Sequence, residues 1–214
     1  MKAPAEVVLA SSNKGKLAEL SNALAPFGTR LIPQARLAID DAIEDGLSFV
    51  ENALIKARHA SKASQLPALA DDSGLEVDVL QGAPGIYSAR YCEMRDKKPR
   101  SDRNNVQSLL SQLQSIGAFV TGQDTIAHYQ CILCYVRSWD DPTPLFGFGT
   151  WSGRIVEEPQ GDQGFGYDPI FYCDSESATA AQLSPERKTA LSHRTKALAQ
   201  LLEHYQRRYG LESL

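Results

Sequence analysis

Apolar residues recur with two different spacings along the first half of the chain. Short apolar runs at 6–10, 29–33 and 66–70 are typical of buried strands. Residues 14–24 and 47–63 instead carry apolar side chains every three or four positions, which predicts two amphipathic helices. Because strands alternate with helices, the pattern indicates a mixed α/β fold built around a sheet.

The second half of the chain continues this mixture. Residues 75–80 alternate apolar and acidic side chains, which predicts a half-buried strand. Further strands are expected at 126–136, 145–151 and 167–172, and a helix is expected at 106–116. Neither an internal repeat nor a low-complexity segment interrupts the pattern.

Two stretches are defined by residues that break or start regular structure. Residues 81–104 are predicted as a loop, because glycine and proline cluster at its beginning. Ser184 followed by Pro185 has the composition of a helix start, with serine as the cap and proline at the first helical position. A long terminal helix through Tyr205 is expected to follow, with a break near Ser192.

Composition narrows the class of protein. A chain of 214 residues, 43% of them hydrophobic, can bury a sizeable core, and we expect a single domain over residues 1–214. The formal net charge of -4 favours a small nucleotide over nucleic acid as a partner, since the basic stretch at 95–100 is interrupted by Asp96. The first residues lack a signal-peptide profile and no window approaches a membrane span, so we expect a cytoplasmic protein without a membrane partner.

The four cysteines do not suggest a framework of disulfides in a chain of this length. Cys131 and Cys134 have the spacing of zinc and redox motifs, but they fall within the strand predicted at 126–136. Residues three apart on a strand point to opposite faces, and no second such pair completes a four-ligand site. We therefore expect inert cysteines packed in the core.

A polar hexapeptide lies where the first strand is predicted to pass into the first helix. Backbone N–H groups at such a junction, together with hydroxyl, amide and ammonium donors, suit a polyphosphate. The hexapeptide consists of Ser11, Ser12, Asn13, Lys14, Gly15 and Lys16. It lacks the Walker A pattern, and taken alone it is better explained as an ordinary helix cap before a basic first turn.

A pair of adjacent acids suggests a metal site. Asp71 and Asp72 end the strand predicted at 66–70, so one carboxylate is expected to enter a cleft while the other braces a turn that Gly74 permits. Mg²⁺ takes one or two carboxylates together with substrate phosphates, and Glu44 on an acidic loop is a candidate second ligand. A plain Asp-Ser-Gly turn with solvated acids remains the alternative.

The glycine-rich segment 164–169 offers an aromatic surface. Phe165 lies between two glycines, which leaves its ring uncrowded for stacking on a base. Discrimination between bases must then come from polar groups, for which the candidates are Asp168, Lys188, His193 and Arg194. Donors aimed at the purine 6-position favour a carbonyl, as in hypoxanthine or xanthine, over the amino group of adenine. How guanine is excluded stays open. Each of the basic residues, taken singly, also fits the exposed face of an amphipathic helix.

Several of these motifs, in this order, resemble those of the inosine triphosphatase family. The resemblance is carried by residues 11–16, 49–53 with 56–58, 70–74, 82–85 with 88–91, 164–169, and 188 with 192–194. Members of that family are Mg²⁺-dependent pyrophosphatases that hydrolyse deaminated purine nucleoside triphosphates (ITP, dITP, XTP and dXTP) to monophosphates. The resemblance also implies a homodimer and a long mixed β-sheet with helices on both sides, forming two lobes around a central cleft.

The resemblance assigns roles to individual positions. It places 11–16 and Lys56 on the phosphates, Glu44 and Asp72 on Mg²⁺, and Ser73 on the substrate. It places the base against Phe165, Gly166, Tyr167 and Asp168, with its edge read by Lys188, His193 and Arg194. Two positions depart from the family pattern: Ser12 replaces a common glycine, and Gln182 replaces a common acid.

The acids and the surrounding basic residues together predict a mechanism. Water polarised by Mg²⁺ and by Asp72 attacks the α-phosphorus, while Lys16 and Lys56 neutralise the charge on the departing pyrophosphate. Two other functions stay open at this point. One is a non-catalytic nucleotide sensor, and the other is a pyrophosphatase for modified pyrimidine or ordinary nucleoside triphosphates.

Overall fold

The computed structural model describes residues 2–11, 14–120 and 125–211 of the chain. In the described residues the strands are β1 (Glu6–Leu9), β2 (Arg30–Pro33), β3 (Ala68–Val77), β4 (Ile126–Val136), β5 (Leu145–Ile155), β6 (Phe171–Cys173) and β7 (Ala178–Thr179). The α-helices are α1 (Lys14–Leu24), α2 (Phe49–Ser64), α3 (Tyr91–Asp96), α4 (Asp102–Ser115), α5 (Pro185–Leu191) and α6 (His193–Tyr209).

The seven strands form one mixed sheet in the order β2-β1-β3-β4-β5-β6-β7. β1 pairs in parallel with both β2 and β3, whereas β6 pairs antiparallel with β5 and β7. The first two parallel connections run through α1 and α2, as expected when a helix returns the chain to the same end of a sheet. The prediction of a mixed α/β fold is therefore confirmed, and the cleft implied by the resemblance stays a prediction.

Serine side chains cap the starts of α2, α4 and α5. The Ser48 hydroxyl accepts a hydrogen bond from the Glu51 backbone N–H before α2, and Ser101 does the same before α4. Ser184 caps α5, with Pro185 at its first position, as predicted. The chain leaves the helical conformation at Ser192, which separates α5 from α6.

The chain divides into two compact units, here called unit 1 and unit 2. Unit 1 comprises residues 1–72, 131–149 and 196–214, and unit 2 comprises residues 73–130 and 150–195. The prediction that the whole chain is one domain stays a prediction.

Each unit has its own apolar core. The core of unit 1 joins strand residues such as Val7, Leu69 and Leu133 to Leu201 and Tyr205 of α6. That of unit 2 packs Leu75, Leu109, Trp151, Tyr167 and Phe171 together.

Two predicted boundaries were wrong in the region that carries the acids. Instead of two short strands separated by a turn, residues 68–77 form the continuous strand β3, which passes through Asp71 and Asp72. Eight of its ten residues are buried, and this burial overrides the low strand propensity of Asp, Ser and Gly. The expected turn at Gly74 does not form.

The region 81–104 was also mispredicted as wholly loop. It contains a 3₁₀ helix at Gly85–Arg90, followed by the six residues of α3. Such short helices have too few residues to show a helical period. Among the smaller differences, β6 starts four residues later than predicted, at Phe171.

All four cysteines are buried free thiols, as the sequence predicted. Burial raises the pKa of Cys134 to about 12, which leaves its thiol protonated and unreactive at neutral pH. Across the described ranges, no helix combines the length and apolar character that a membrane crossing requires.

Candidate functional site

The end of β1 and the start of α1 carry the hexapeptide. Leu9 of β1 is in register with Leu69 of the parallel strand β3. The residues that follow Leu9 therefore lie beside the residues that follow Leu69. Ser11 follows β1 directly, and Lys16 lies in the first turns of α1. Ser12, Asn13 and the side chain of Lys14 lie outside the described residues, and Gly15 is exposed near the start of α1.

Lys16 binds the first acid of β3. Its Nζ donates to Asp71 Oδ1 at 2.5 Å, and the Asp71 side chain is fully buried. The buried Cys131 thiol lies 3.6 Å from the other carboxylate oxygen. The structure therefore brings Lys16 to the acid pair and gives Asp71 a supporting role, since its carboxylate is enclosed by the protein.

The second acid has a different partner. Lys56 on α2 donates from Nζ to Asp72 Oδ1 at 2.5 Å, and the same Nζ lies 3.6 Å from Glu44 Oε2. Because neighbouring residues on a strand point to opposite faces, Asp72 shares its surroundings with Lys56 and Glu44 rather than with Lys16. We call Lys16, Glu44, Lys56, Asp71 and Asp72 the acid–lysine cluster.

Burial sets the acidity of Asp72. The residue is 8% exposed, and removal from water raises the pKa of its carboxyl, with nearby Glu44 adding to the rise. Lys56 opposes this through its charge and its hydrogen bond, but burial is the larger influence. A carboxylate with a raised pKa is a stronger proton acceptor than one in water.

The loop that carries Glu44 is fastened to the start of α2. The Gly46 N–H donates to Asn52 Oδ1 at 2.9 Å, and the Leu47 N–H donates to Glu51 Oε2 at 2.9 Å. A side chain at Gly46 would place its Cβ only 2.7 Å from Asn52 Oδ1. The close approach at Gly46 therefore helps to hold Glu44 near Lys56.

Unit 2 holds the glycine-rich aromatic segment. Gly164 and Gly166 have φ angles of 81° and 62°, a conformation that suits glycine. They present Phe165 with 62% of its surface exposed, as a stacking surface requires. Tyr167 is buried, and its hydroxyl donates to the Ser88 carbonyl at 2.9 Å. This residue therefore anchors the segment to the core of unit 2.

Two carboxylates hold the segment in place. Asp168 Oδ2 accepts from the Phe165 N–H at 2.7 Å, and Asp102 Oδ2 at the start of α4 accepts from the Gly166 N–H at 2.8 Å. A groove of about 400 Å³ lies beside the segment, with walls that include Val106 and Leu110 of α4. Asp102 was not among the predicted site residues.

The candidate base-reading residues also lie in unit 2. Lys188 Nζ donates to Asp168 Oδ2 at 2.5 Å and lies 4.7 Å from the centre of the Phe165 ring. Arg194 is 9% exposed, and its Nη2 donates to Ser73 Oγ at 3.4 Å. The structure therefore gathers Phe165, Asp168 and Lys188 into one group, and pairs Arg194 with Ser73.

His193 is connected to this group by a residue that the sequence did not single out. Its imidazole stacks on the ring of Tyr129, with centroids 5.0 Å apart and planes inclined by 11°. The Tyr129 hydroxyl in turn donates to Asp168 Oδ1 at 3.2 Å. In the sequence, a tyrosine in an apolar strand looks like any other core residue.

Comparison with known proteins agrees with the family resemblance of the motifs. The model of the Ham1 family matches residues 7–204. The chain is 50% identical over 198 residues to a dITP/XTP pyrophosphatase of Escherichia coli K12, with 92% of this chain and 96% of that protein covered. It is 52% identical over 197 residues to a dITP/XTP pyrophosphatase of Bordetella parapertussis, with 92% and 89% covered.

Solved structures support the fold. A HAM1 protein from Coxiella burnetii superposes with a TM-score of 0.88 at 44% identity, over 94% of this chain and 98% of that chain. A nucleoside-triphosphatase or dITP/XTP pyrophosphatase from Mycobacterium abscessus gives a TM-score of 0.74 at 40% identity, over 92% and 98%. These likenesses confirm the resemblance stated from the motifs.

Proposed function

The chain belongs to the Ham1 family, and we propose that it hydrolyses deaminated purine nucleoside triphosphates (ITP, dITP, XTP and dXTP) to the monophosphate and pyrophosphate. This activity removes such nucleotides from the pool. The observation that carries the proposal is the acid–lysine cluster, in which the buried Asp72 shares Lys56 with Glu44. The substrate class comes from the relatives at 50% and 52% identity, both of which are dITP/XTP pyrophosphatases.

The acid–lysine cluster fits a divalent metal, and we assign it Mg²⁺. Glu44 and Asp72 would be the protein ligands, since both are oxygen donors that already approach the same cation, Lys56. The described residues contain no group of three or more acidic, histidine or cysteine side chains placed to hold a metal. A pair of carboxylates suits an ion that takes its other ligands from phosphates and water. When bound, Mg²⁺ neutralises phosphate charge and makes water more acidic.

The chain's own residues then have separate tasks at the triphosphate. Asp72 accepts the proton of the water that attacks the α-phosphorus. Lys16 and Lys56 neutralise the charge that develops on the departing pyrophosphate. Residues 11–16 bind the phosphates, and Ser73 binds the substrate next to Asp72.

The base is assigned to residues of unit 2. It stacks on Phe165, whose ring is exposed, while Gly166, Tyr167 and Asp168 maintain the shape of that surface. The side chains of Lys188, His193 and Arg194 donate hydrogen bonds to the edge of the base. Donors from these side chains pair with a 6-carbonyl, whereas the 6-amino group of adenine leaves them without an acceptor.

We assign a homodimer that acts in the cytoplasm, where free nucleoside triphosphates are made and used. Nucleic acid and membranes are not expected to be partners, since the chain carries 26 acidic against 22 basic residues.

Pyrophosphate release tests the proposal directly. The purified full-length chain is given ITP, dITP, XTP, GTP and ATP in turn, with Mg²⁺ and with EDTA. We expect pyrophosphate and monophosphate from the first three substrates, slow release from GTP and ATP, and no release with EDTA. Equal rates for all five would indicate a general triphosphate pyrophosphatase, and binding of ITP without any hydrolysis would indicate a sensor. Either result would overturn the proposal.

A further inference from the structure

Tyr129 lies on β4 and is 9% exposed. Its ring packs among aromatic residues of unit 2, with centroid distances of 4.6 Å to Phe171 and 6.2 Å to Trp151. A phenylalanine would satisfy these contacts equally well. The hydroxyl group must therefore be explained by something other than packing in the core.

The hydroxyl completes the hydrogen bonding of Asp168. One oxygen of that carboxylate, Oδ2, accepts from the Phe165 N–H at 2.7 Å and from Lys188 Nζ at 2.5 Å. Tyr129 donates to the other oxygen, Oδ1, at 3.2 Å. A carboxylate held at both oxygens cannot rotate about the Cβ–Cγ bond. Oδ2 of Asp168 therefore stays directed at the Phe165 backbone and at Lys188.

The hydroxyl remains a donor under all ordinary conditions. Burial, with the neighbouring Asp168 carboxylate as a further cause, raises the pKa of Tyr129 well above its usual value. The Asp168 side chain is 3% exposed, so water cannot readily replace a lost donor. Removing the hydroxyl would therefore leave a buried carboxylate oxygen without this partner.

The ring has a second task, which concerns His193. The imidazole lies almost parallel to the Tyr129 ring, with 5.0 Å between centroids and 11° between planes. Such stacking fixes the plane of the imidazole, and with it the directions in which the two ring nitrogens point. His193 begins α6 and immediately precedes Arg194, so its orientation is defined next to another base-reading residue.

We propose that Tyr129 is a positioning residue for base recognition, whose hydroxyl orients Asp168 and whose ring orients His193. The proposal rests on the function proposed above, because it concerns how the base-reading groups are held. It assigns the two parts of one side chain to different effects. The hydroxyl holds the Phe165 segment, on which every purine stacks, whereas the ring holds His193 and so affects the choice between ITP and ATP.

Two substitutions separate these effects. Tyr129→Phe removes the hydroxyl and keeps the ring, so we expect the KM for ITP to rise about five- to tenfold, with kcat changed less than about twofold. Its ITP to ATP preference should stay near the wild-type value. Tyr129→Leu also removes the ring, and the preference for ITP should then fall. The NMR signals of the His193 ring should move in the Leu variant only, since the ring current is lost.

Tyr91→Phe is the matched control. Tyr91 is 2% exposed in the same unit, and its hydroxyl donates to Gln112 and not to Asp168. Its KM for ITP should equal that of the wild type. Melting temperatures of all variants show whether each is folded. If the Leu variant is unfolded, the Phe variant alone decides the role of the hydroxyl, and a milder ring removal, Tyr129→Met, decides that of the ring.

Three results would overturn the proposal. The first is an unchanged KM for ITP in Tyr129→Phe. The second is a rise in the KM of Tyr91→Phe equal to that of Tyr129→Phe. The third is a loss of kcat in Tyr129→Phe with no change in its KM. If the wild type itself fails to hydrolyse ITP, the proposed function fails instead. Calorimetric affinities for ITP with Mg²⁺, measured on the same variants, would then decide the positioning role separately.

Discussion

Both units contain a buried aspartate that is bound by a lysine, but the two aspartates differ in how firmly they are held. In unit 1, Asp72 has Lys56 at 2.5 Å, and this one cation also approaches Glu44. In unit 2, Asp168 is held by Lys188, by a backbone N–H and by the Tyr129 hydroxyl. The first arrangement joins an acid to a flexible side chain alone, whereas the second adds two fixed donors, a backbone N–H and a buried hydroxyl, to the lysine.

This difference separates chemistry from shape. A lysine on a long stem can exchange one anionic partner for another, so Lys56 can serve a phosphate and release Asp72 for proton transfer. Asp168 cannot be released without freeing the Phe165 segment that it holds. We infer that substitutions in the acid–lysine cluster reduce kcat, whereas those around Asp168 raise KM or change substrate preference.

The largest expected effect is that of Asp72→Asn. The amide cannot accept the proton of the attacking water, so kcat for ITP should fall about a thousandfold. Pyrophosphate release at saturating ITP and Mg²⁺ measures the effect. Asp45→Asn is the matched control, since it removes an exposed negative charge beside Glu44 and should leave kcat unchanged. A wild-type kcat in Asp72→Asn would contradict the role of this carboxylate.

Gly164→Ala should have the next largest effect. Its new Cβ would lie 2.2 Å from Asp168 Oδ2 and 3.0 Å from Lys188 Nζ, so the anchor of the segment must move. We expect the KM for ITP to rise about tenfold or more, with a smaller change in kcat.

Gly166→Ala provides the comparison for Gly164→Ala. It has a similarly positive φ of 62°, but its added Cβ would meet nothing within 4 Å. Only backbone strain remains, so its KM should rise about fivefold or less. Equal effects at the two glycines would show that backbone strain, and not contact with Asp168, determines the result.

Arg194→Ala tests the reading of the base. With this donor removed, the ratio of kcat/KM for ITP over ATP should fall about tenfold, because a donor no longer favours the 6-carbonyl. Arg187→Ala is the control, since Arg187 is exposed and pairs with Glu176 instead. An unchanged ITP to ATP ratio in Arg194→Ala would remove this residue from the base-reading set.

Gly46→Ala should have a small effect of a different kind, on the dependence of activity on Mg²⁺. A Cβ 2.7 Å from both Asn52 Oδ1 and Glu51 Cβ must push the loop away from α2, and Glu44 moves with it. The Mg²⁺ concentration for half-maximal activity should rise about fivefold, while the ITP preference over ATP stays the same. A titration with Mg²⁺ at fixed ITP measures this, and a change in preference without a change in Mg²⁺ dependence would argue against a metal role for the loop.

The sequence predicted the elements whose periodicity is long enough to read. The limits of α1 and β4 agree with the predicted spans, because each carries a regular apolar pattern over eleven residues. The continuity of β3 was missed, since Asp71 to Gly74 have low strand propensity and only their burial between neighbouring strands explains the strand. Short α3 offered no period at all.

The site was predictable in its residue types but not in its pairings. The acids, lysines and aromatic segment were visible as motifs, whereas the pairing of Lys16 with Asp71 joins residues 55 positions apart. Tyr129 and Asp168 are separated by 39 positions, and Asp102 reaches Gly166 across 64. Such contacts depend on how the units fold. A single sequence contains no local signal for them.

The measurement that tests the separation of chemistry from shape most directly is nucleotide binding by Asp72→Asn. Calorimetry with Mg²⁺ gives its Kd for ITP and for ATP, free of turnover. If the acid–lysine cluster performs hydrolysis and the residues of unit 2 select the base, this inactive variant should still bind ITP in clear preference to ATP. Equal affinities for the two nucleotides would contradict the account.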